Sequence, residues 1–305
     1  MRVVVTGGAG FIGYWTVREL LGAGHEVSVV DNLSRATFKD ELEDMGVPLQ
    51  PVDVRDLEAL TKVFSGADAV VHLAALISVE ESAEKPVDYH EVNVRGTLNV
   101  LLAGVRTGVR RVIYSSSAAV YGHPVRLPVD EDHPTRPISV YGATKLAGEA
   151  YCRAFHETFG IQAVILRYFN VYGPGQSPEY AGVIVRFSER LARGLPPVVN
   201  GDGLQSRDFV HVFDVARANL LALESEVGFG VYNVGTGTPT RILDLARLMM
   251  RLWGVEGEPE FAPPRPGDIR ESVADVGRIR RELRFEPVIG LEEGLRGLIP
   301  ESPER

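Results

Sequence analysis

The apolar residues of this chain fall into two rhythms that alternate from its start. Short, mostly apolar runs without polar alternation, at Val3 to Val5, Glu26 to Val30, Leu49 to Val52, Ala69 to Leu73, Arg111 to Ser115 and Gln162 to Tyr168, read as strands. Between them stand stretches with helical spacing. One has Trp15, Val17, Leu20 and Leu21 apolar and ends at Gly22 and Gly24; others run from Leu57 to Phe64, around Asp88 to Val105 and from Tyr141 to Phe159. Strands that carry no polar alternation belong in a parallel sheet buried on both faces. The strand–helix alternation predicts an α/β fold, a doubly wound parallel sheet with helices on either side.

After Asn170 the texture changes. Glycine and proline signals crowd together at Tyr172-Gly173-Pro174-Gly175, Leu195-Pro196-Pro197, Gly201-Asp202-Gly203 and Ala262 to Asp268, around shorter helices at Val183 to Arg193, Val212 to Leu223 and Ile242 to Trp253. This predicts a smaller lobe against the sheet. The last residues, Pro300 to Arg305, read as a polar, frayed end.

The first strand runs into Gly7-Gly8-Ala9-Gly10-Phe11-Ile12-Gly13 and at once into a helix. Glycines in such a loop let the backbone approach a pyrophosphate, which the amides and positive end of the helix then face. The second strand ends in Asp31, about 20 residues on, where a carboxylate can accept from both ribose hydroxyls of a dinucleotide. A 2′-phosphate about 4 Å from Asp31 would be repelled by ~4 kcal/mol at an effective dielectric near 20, so the reading is NAD and not NADP. Asp53-Val54 and Leu73-Ala74-Ala75 lie at carboxyl ends of strands, where a doubly wound sheet receives ligands. On sequence alone Asp53 serves equally as a helix cap and the alanines as core.

Composition narrows the partners. With 305 residues, a net charge of −9, 45% hydrophobic and 24% charged residues, the chain has ample core. Its acidity disfavours nonspecific nucleic-acid or anionic-membrane binding. The single cysteine, Cys152, excludes an internal disulfide and reads as a buried apolar residue in a reducing compartment. No run approaches 18 apolar residues, so the expected location is cytoplasmic, and the seven scattered histidines predict no metal site.

Tyr141-Gly142-Ala143-Thr144-Lys145 places a phenol and an ammonium on one face of a helix start. A lysine charge within ~4–6 Å can lower an acid's pKa by ~1–3 units, which would make the phenol a base for an alcohol proton. Ser115-Ser116-Ser117, at the end of a strand, can offer a hydroxyl to the same oxygen; turn chemistry and a solvated helix pair are the plain alternatives.

At this point the chain resembles a known family, the extended short-chain dehydrogenase/reductases, and within it the NAD-dependent nucleotide-sugar epimerases and dehydratases, nearest to the UDP-glucose 4-epimerase group. The likeness rests on T-G-G-A-G-F-I-G at Thr6 to Gly13, D-N-L-S at Asp31 to Ser34, H-L-A-A at His72 to Ala75, S-S-S-A-x-V-Y-G at Ser115 to Gly122 and Y-G-x-x-K at Tyr141 to Lys145. It continues in L-R-Y-F-N-V-Y-G-P at Leu166 to Pro174, G-D-G-x-Q-x-R-D-F at Gly201 to Phe209 and R-P-G-D at Arg265 to Asp268. The resemblance implies a Rossmann-type NAD-binding domain (1–169 plus about 206–236) and a smaller α/β substrate-binding lobe (about 170–205 and 237–305). It implies Ser117, Tyr141 and Lys145 as catalytic residues. Gly7, Gly10, Phe11, Ile12, Gly13, Asp31, Asn32, Asp53, Val54, Leu73, Ala74, Ala75, Asn93 and Tyr168, with Tyr141 and Lys145, would meet NAD. Ser117, Asn170, Val183, Arg207, Arg265, Asp268 and Ser272 would meet a nucleotide-diphosphate sugar, and a homodimer is expected through the helices at Asp88 to Val105 and Tyr141 to Phe159. Forked, permanently charged arginines suit a pyrophosphate carried into an acidic protein.

Two departures sharpen the expectation. Related 4,6-dehydratases carry Asp-Glu directly after the reactive hydroxyl residue; here Ala118 and Ala119 stand there, and methyl groups do no acid–base work. That favours oxidation and re-reduction at sugar carbon 4, interconverting UDP-glucose and UDP-galactose, over dehydration. Asn200 replaces the aromatic residue that many relatives place before G-D-G, which leaves the base less defined. Ser272, small where a gate would stand beside the sugar 2-substituent, leaves room for the N-acetyl group of UDP-GlcNAc or UDP-GalNAc.

Overall fold

The computed structural model describes residues 1–177, 182–265 and 267–299; the tail read at Pro300 to Arg305, and Pro266 of the R-P-G-D stretch, lie outside the described residues. In chain order the strands are β1 (Arg2–Thr6), β2 (Glu26–Val30), β3 (Leu49–Gln50), β4 (Ala69–His72), β5 (Arg111–Ser117), β6 (Gln162–Tyr168), β7 (Asn170–Tyr172), β8 (Val198–Asn200), β9 (Ser206–His211), β10 (Phe229–Val234), β11 (Pro239–Arg241), β12 (Glu260–Ala262) and β13 (Glu271–Ser272). Seven form one parallel sheet in the order β3-β2-β1-β4-β5-β6-β10. The connections reverse direction between β1 and β4, which opens a crevice at the carboxyl ends of both strands.

The lack of polar alternation in these runs explains the layering. Along β1, Val3 and Val5 join the core on one face, with Val17, Leu20, Val215 and Ala218. Val4 joins the other, with Leu60, Val100, Leu101, Cys152 and Phe155, as successive side chains of a strand must. The helices Phe11–Gly22 and Val212–Glu224 cover the first face; Leu57–Val63, Gly96–Thr107 and Val140–Phe159 cover the second. A third cluster, around Tyr172, Phe187, Val199, Phe209, Leu245 and Met249, binds β7, β9 and the helices Val183–Leu191 and Ile242–Trp253. There β9 pairs with β7 and β13 in parallel and with β11 antiparallel, while β12 pairs with β8.

Two of the elements read from the sequence differ from expectation, and the strands after β6, including β10 of the main sheet, were not read at all. The third strand stops at Gln50, two residues early, because Pro51 has no amide to extend the ladder. The long helix expected from Asp88 begins at Pro86 and runs to Thr107, but its middle, His90–Arg95, widens into π-helix before the α-helix resumes at Gly96. Such π-segments collect at functional sites, and this one carries Asn93.

Candidate active site

The dinucleotide cleft is built from backbone. Gly7 has φ +71°, and a Cβ there would stand 2.7 Å from the Ala74 amide nitrogen; a Cβ on Gly13 would collide with the Gly7 carbonyl. Any side chain at these two positions would fill the cradle or force the helix away from β1. The Phe11–Gly22 helix starts at Gly10 with no side-chain cap, so its first amides are left for an anion. Gly7, Gly10, Phe11, Ile12 and Gly13 line the cleft beside Leu73, Ala74, Ala75, Val54 and Tyr168.

Asp31 and Asn32 line it at the adenosine end. The Asp31 carboxylate accepts the Ala9 amide at 3.1 Å and the Leu33 amide at 2.8 Å, which keeps it aimed into the cleft. Burial raises its pKa, and those two amides oppose the rise. The residues present therefore fit an adenine dinucleotide: glycine cradle, helix end, and a ribose carboxylate at the next strand.

Two expected cofactor residues stand back from the cleft. The Asp53 carboxylate is clasped by Arg55 through Nε and Nη2, both at 2.9 Å, and by the Asn32 amide at 2.8 Å, and it lines a neighbouring surface hollow. The cap of the Leu57–Val63 helix is Asp56, not Asp53. Asn93 is buried: its amide nitrogen donates to the Leu76 carbonyl at 2.9 Å and the Thr144 hydroxyl at 3.0 Å, and its oxygen accepts the Leu76 amide at 2.8 Å. It positions the loop after β4 from behind, because the π-turn swings its side chain inward between that loop and the Val140–Phe159 helix.

That helix also holds the reactive pair. Ser139 caps it, its Oγ accepting the Gly142 amide at 3.0 Å, which sets Tyr141 and Lys145 on the cleft wall. The half-buried Tyr141 hydroxyl shares a hydrogen bond with Ser117, which lowers its pKa, but burial outweighs this and leaves the phenol above its ordinary value. The sequence expectation that Lys145 lowers the phenol's pKa is not met. The Lys145 ammonium instead donates to the Ser115 carbonyl at 2.8 Å, 3.5 Å from its hydroxyl, over the Tyr114 ring. Burial pushes the lysine down to about 7.

Behind these serines lies a buried polar network absent from the sequence reading. Glu149 accepts Arg167 through Nε at 2.9 Å and Nη2 at 2.6 Å and the Ser116 hydroxyl at 2.5 Å, while Arg167 Nη1 donates to the Tyr121 hydroxyl at 2.9 Å. His72 is likewise buried. Thr97 Oγ1 donates to the Asn93 carbonyl, so it receives the His72 Nε2 proton, and Nδ1 accepts from Thr6 at 2.7 Å. Burial holds this imidazole neutral, at about 3.

A second cleft opens where β7, β8 and β9 meet. Asn170, Val183, Arg207, Arg265 and Asp268 line it, joined by Arg186, Arg190, Asn200 and Gln205. Arg207 is paired with Asp268, and Arg265 donates at 3.1 Å to Glu80, on the Val79–Glu84 helix. Ser272 does not line the cleft but sits opposite Arg207 in the β13–β9 register.

The profile of the NAD dependent epimerase/dehydratase family matches residues 3–235. The chain belongs to that family. Its fold matches the UDP-glucose 4-epimerase of Thermotoga maritima, solved with UDP-glucose, at a TM-score of 0.93 and 39% identity, over 98% of this chain and 97% of that one. The UDP-glucose 4-epimerase of Thermus thermophilus, in complex with NAD, gives 0.90 at 40% identity, over 98% of each chain. The UDP-N-acetylglucosamine 4-epimerase of Methanobrevibacter ruminantium M1, in complex with UDP-N-acetylmuramic acid, gives 0.91 at 37%, over 98% and 96%.

For a member of this NAD-dependent family, the cleft walls hold several residues that the sequence reading left unassigned. Arg35, Thr37, Leu76, Ile77, Gln176 and Ser177 all line the dinucleotide cleft. The first two follow directly on the D-N-L-S stretch and were within reach of a longer reading of that loop. Gln176 and Ser177 come from beyond β7, and no local pattern marks them.

Proposed function

We infer that this chain is a nucleotide-sugar 4-epimerase that interconverts UDP-glucose and UDP-galactose with bound NAD. One observation supports the reading above all: Tyr141 and Lys145 line the dinucleotide cleft and Ser117, just behind its wall, shares a hydrogen bond with the Tyr141 hydroxyl, while the two residues after Ser117 offer only methyl groups. The glycine loop and Asp31 hold the dinucleotide; bound there, NAD⁺ accepts hydride from sugar carbon 4 and gives it back. Tyr141 takes the 4-hydroxyl proton and later returns it, with Ser117 as the hydrogen-bonding partner of the same oxygen. The raised pKa of the phenol implies that it becomes a base only once a positive charge enters beside it. Lys145, held on the Ser115 carbonyl, keeps a donor on the ribose side of the cleft wall.

Arg207 and Arg265 are the forks for the diphosphate, which must compete with Asp268 and Glu80. Asn170 and Val183 border the sugar. Between the two hydride transfers the 4-keto sugar turns over about its diphosphate linkage. The two-part division, dinucleotide on the seven-stranded sheet and sugar nucleotide in the lobe, follows from this assignment. A cytoplasmic homodimer, paired through the helical stretches Asp88 to Val105 and Tyr141 to Phe159, completes it; a lone buried cysteine suits a reducing compartment.

The test is to incubate the purified protein with UDP-galactose, without added reductant, and resolve the products by chromatography. Appearance of UDP-glucose without net NADH supports the assignment; net NADH would mark a dehydrogenase instead. A second substrate, the N-acetylated pair, rests on the family likeness at Ser272, which stands beside Arg207 in the β13–β9 pairing without lining the cleft. Ser272→Tyr is expected to abolish turnover of UDP-N-acetylgalactosamine and spare that of UDP-galactose; equal effects on both sugars would remove the gate.

A further inference from the structure

The adenosine end of the dinucleotide cleft carries two opposed signals. Asp31 repels a 2′-phosphate, yet Arg35, four residues on in the same loop, lines the same cleft. An arginine at this place in a doubly wound fold is the residue type that receives the 2′-phosphate of NADP, and its fork suits that anion. Charge count alone would leave the choice between the two cofactors open.

The geometry supplies a third party. Arg35 Nη2 donates to both oxygens of Glu81, at 3.0 and 2.9 Å. Glu81 belongs to the Val79–Glu84 helix, which Ser78 caps by accepting the Glu81 amide. Its carboxylate is fixed from other sides too, accepting Lys85 Nζ at 3.0 Å and the Tyr89 hydroxyl at 3.1 Å. Arg35 and Lys85 hold that carboxyl down to about 2, so it stays ionised at neutral pH. Because β2 and β4 flank β1 in the sheet, a pair from the β2 loop to the helix after β4 reaches over the glycine loop itself.

We propose that Glu81 is a second determinant of cofactor choice: by holding and neutralising Arg35 it withholds the guanidinium from a 2′-phosphate, and with Asp31 it confines the cleft to NAD. This rests on the dinucleotide assignment of the cleft. NADP exclusion is then a joint property of a carboxylate that repels the phosphate and one that occupies its natural receptor.

The test measures binding constants, not turnover. NAD⁺ and NADP⁺ are titrated calorimetrically into cofactor-stripped wild-type protein and into Glu81→Gln, Arg35→Ala and the double variant. Glutamine keeps an acceptor for Lys85 and Tyr89 but loses the charge. Glu81→Gln is expected to tighten NADP⁺ by roughly tenfold or more, as a released charge-assisted donor would, with a smaller change for NAD⁺. The double variant should fall back to the wild-type value, and Arg35→Ala alone should leave NADP⁺ affinity where it was. An unchanged NADP⁺ constant in a folded Glu81→Gln protein would overturn the proposal, as would a gain that survives removal of Arg35. Should Glu81→Gln fail a melting scan, Arg35→Ala still decides: weaker NADP⁺ binding would show the guanidinium already available, and an unchanged value supports its sequestration. Failure of the wild-type protein to bind NAD⁺ at all would instead sink the dinucleotide assignment.

Discussion

Lys145 sits at 4% exposure with its ammonium on a backbone carbonyl and no carboxylate in hydrogen-bond reach. Burial of that kind disfavours the charged form, and the fall from 10.5 to about 7 expresses it. The sign of the linkage follows. Between about pH 7 and 10.5 the unfolded chain binds a proton that the folded one does not, so stability rises with pH across that window; below pH 7 the cost of the buried charge is borne in full. Replacing Lys145 by methionine, similar in length and uncharged, should raise the melting temperature of the cofactor-stripped protein. The gain should be larger at pH 6 than at pH 9, while turnover is lost. A gain independent of pH would show that packing, not charge, governs the site. The glycine loop, Asp31 and the Tyr141–Lys145 spacing were legible in the sequence because their chemistry is carried by residue type at a fixed interval. What Lys145 touches was not legible, because its partner is a carbonyl, which every residue has.

At the scale of elements, β6 and the Val140–Phe159 helix are locked by the Glu149–Arg167 pair, with 6% and 7% side-chain exposure on its two members. Removing one partner strands the other charge in the interior. Glu149→Ala should therefore cost about 3–5 kcal/mol in urea unfolding, and a double replacement by leucine and methionine should recover most of it. If the single and double variants were equally destabilised, the pair would be filling space and no more. No sequence signal announced this pair, since its members come from a helix and the strand that follows it. The π-segment at His90–Arg95 was equally silent, for its apolar spacing is that of an ordinary helix. Helices were foreseen to within a residue or two at Phe11–Gly22, where Gly22 and Gly24 marked the end, and at Val140–Phe159, whose ends the structure assigns to Ser139 and Gly160.

For the whole molecule, the two clefts share no lining residue. Ligands that fill them separately should each stabilise the fold by mass action, about 2.7 kcal/mol for either one at a hundred times its dissociation constant. Thermal scans with NAD⁺, with UDP, and with both should show shifts that add to within ~0.5 kcal/mol. A clear excess for the pair would trace to the Glu80–Arg265 pair, which ties a wall of the second cleft to the Val79–Glu84 helix, and Glu80→Gln should then remove it.

The position of β10 at the sheet edge has a consequence in time. It pairs with β6, yet the chain must run from Tyr168 to Phe229 before it exists. On a ribosome adding roughly 5–20 residues per second, that interval lasts about 3–12 s. Throughout it six strands can already stand side by side, with nearly the whole dinucleotide cleft among them. The apolar edge from Ala163 to Leu166 meanwhile has nothing to pair with, and an open, hydrophobic strand edge is a template for any other nascent strand nearby. Crowded synthesis therefore exposes an edge that the finished sheet covers, since β6 stays open only until β10 arrives.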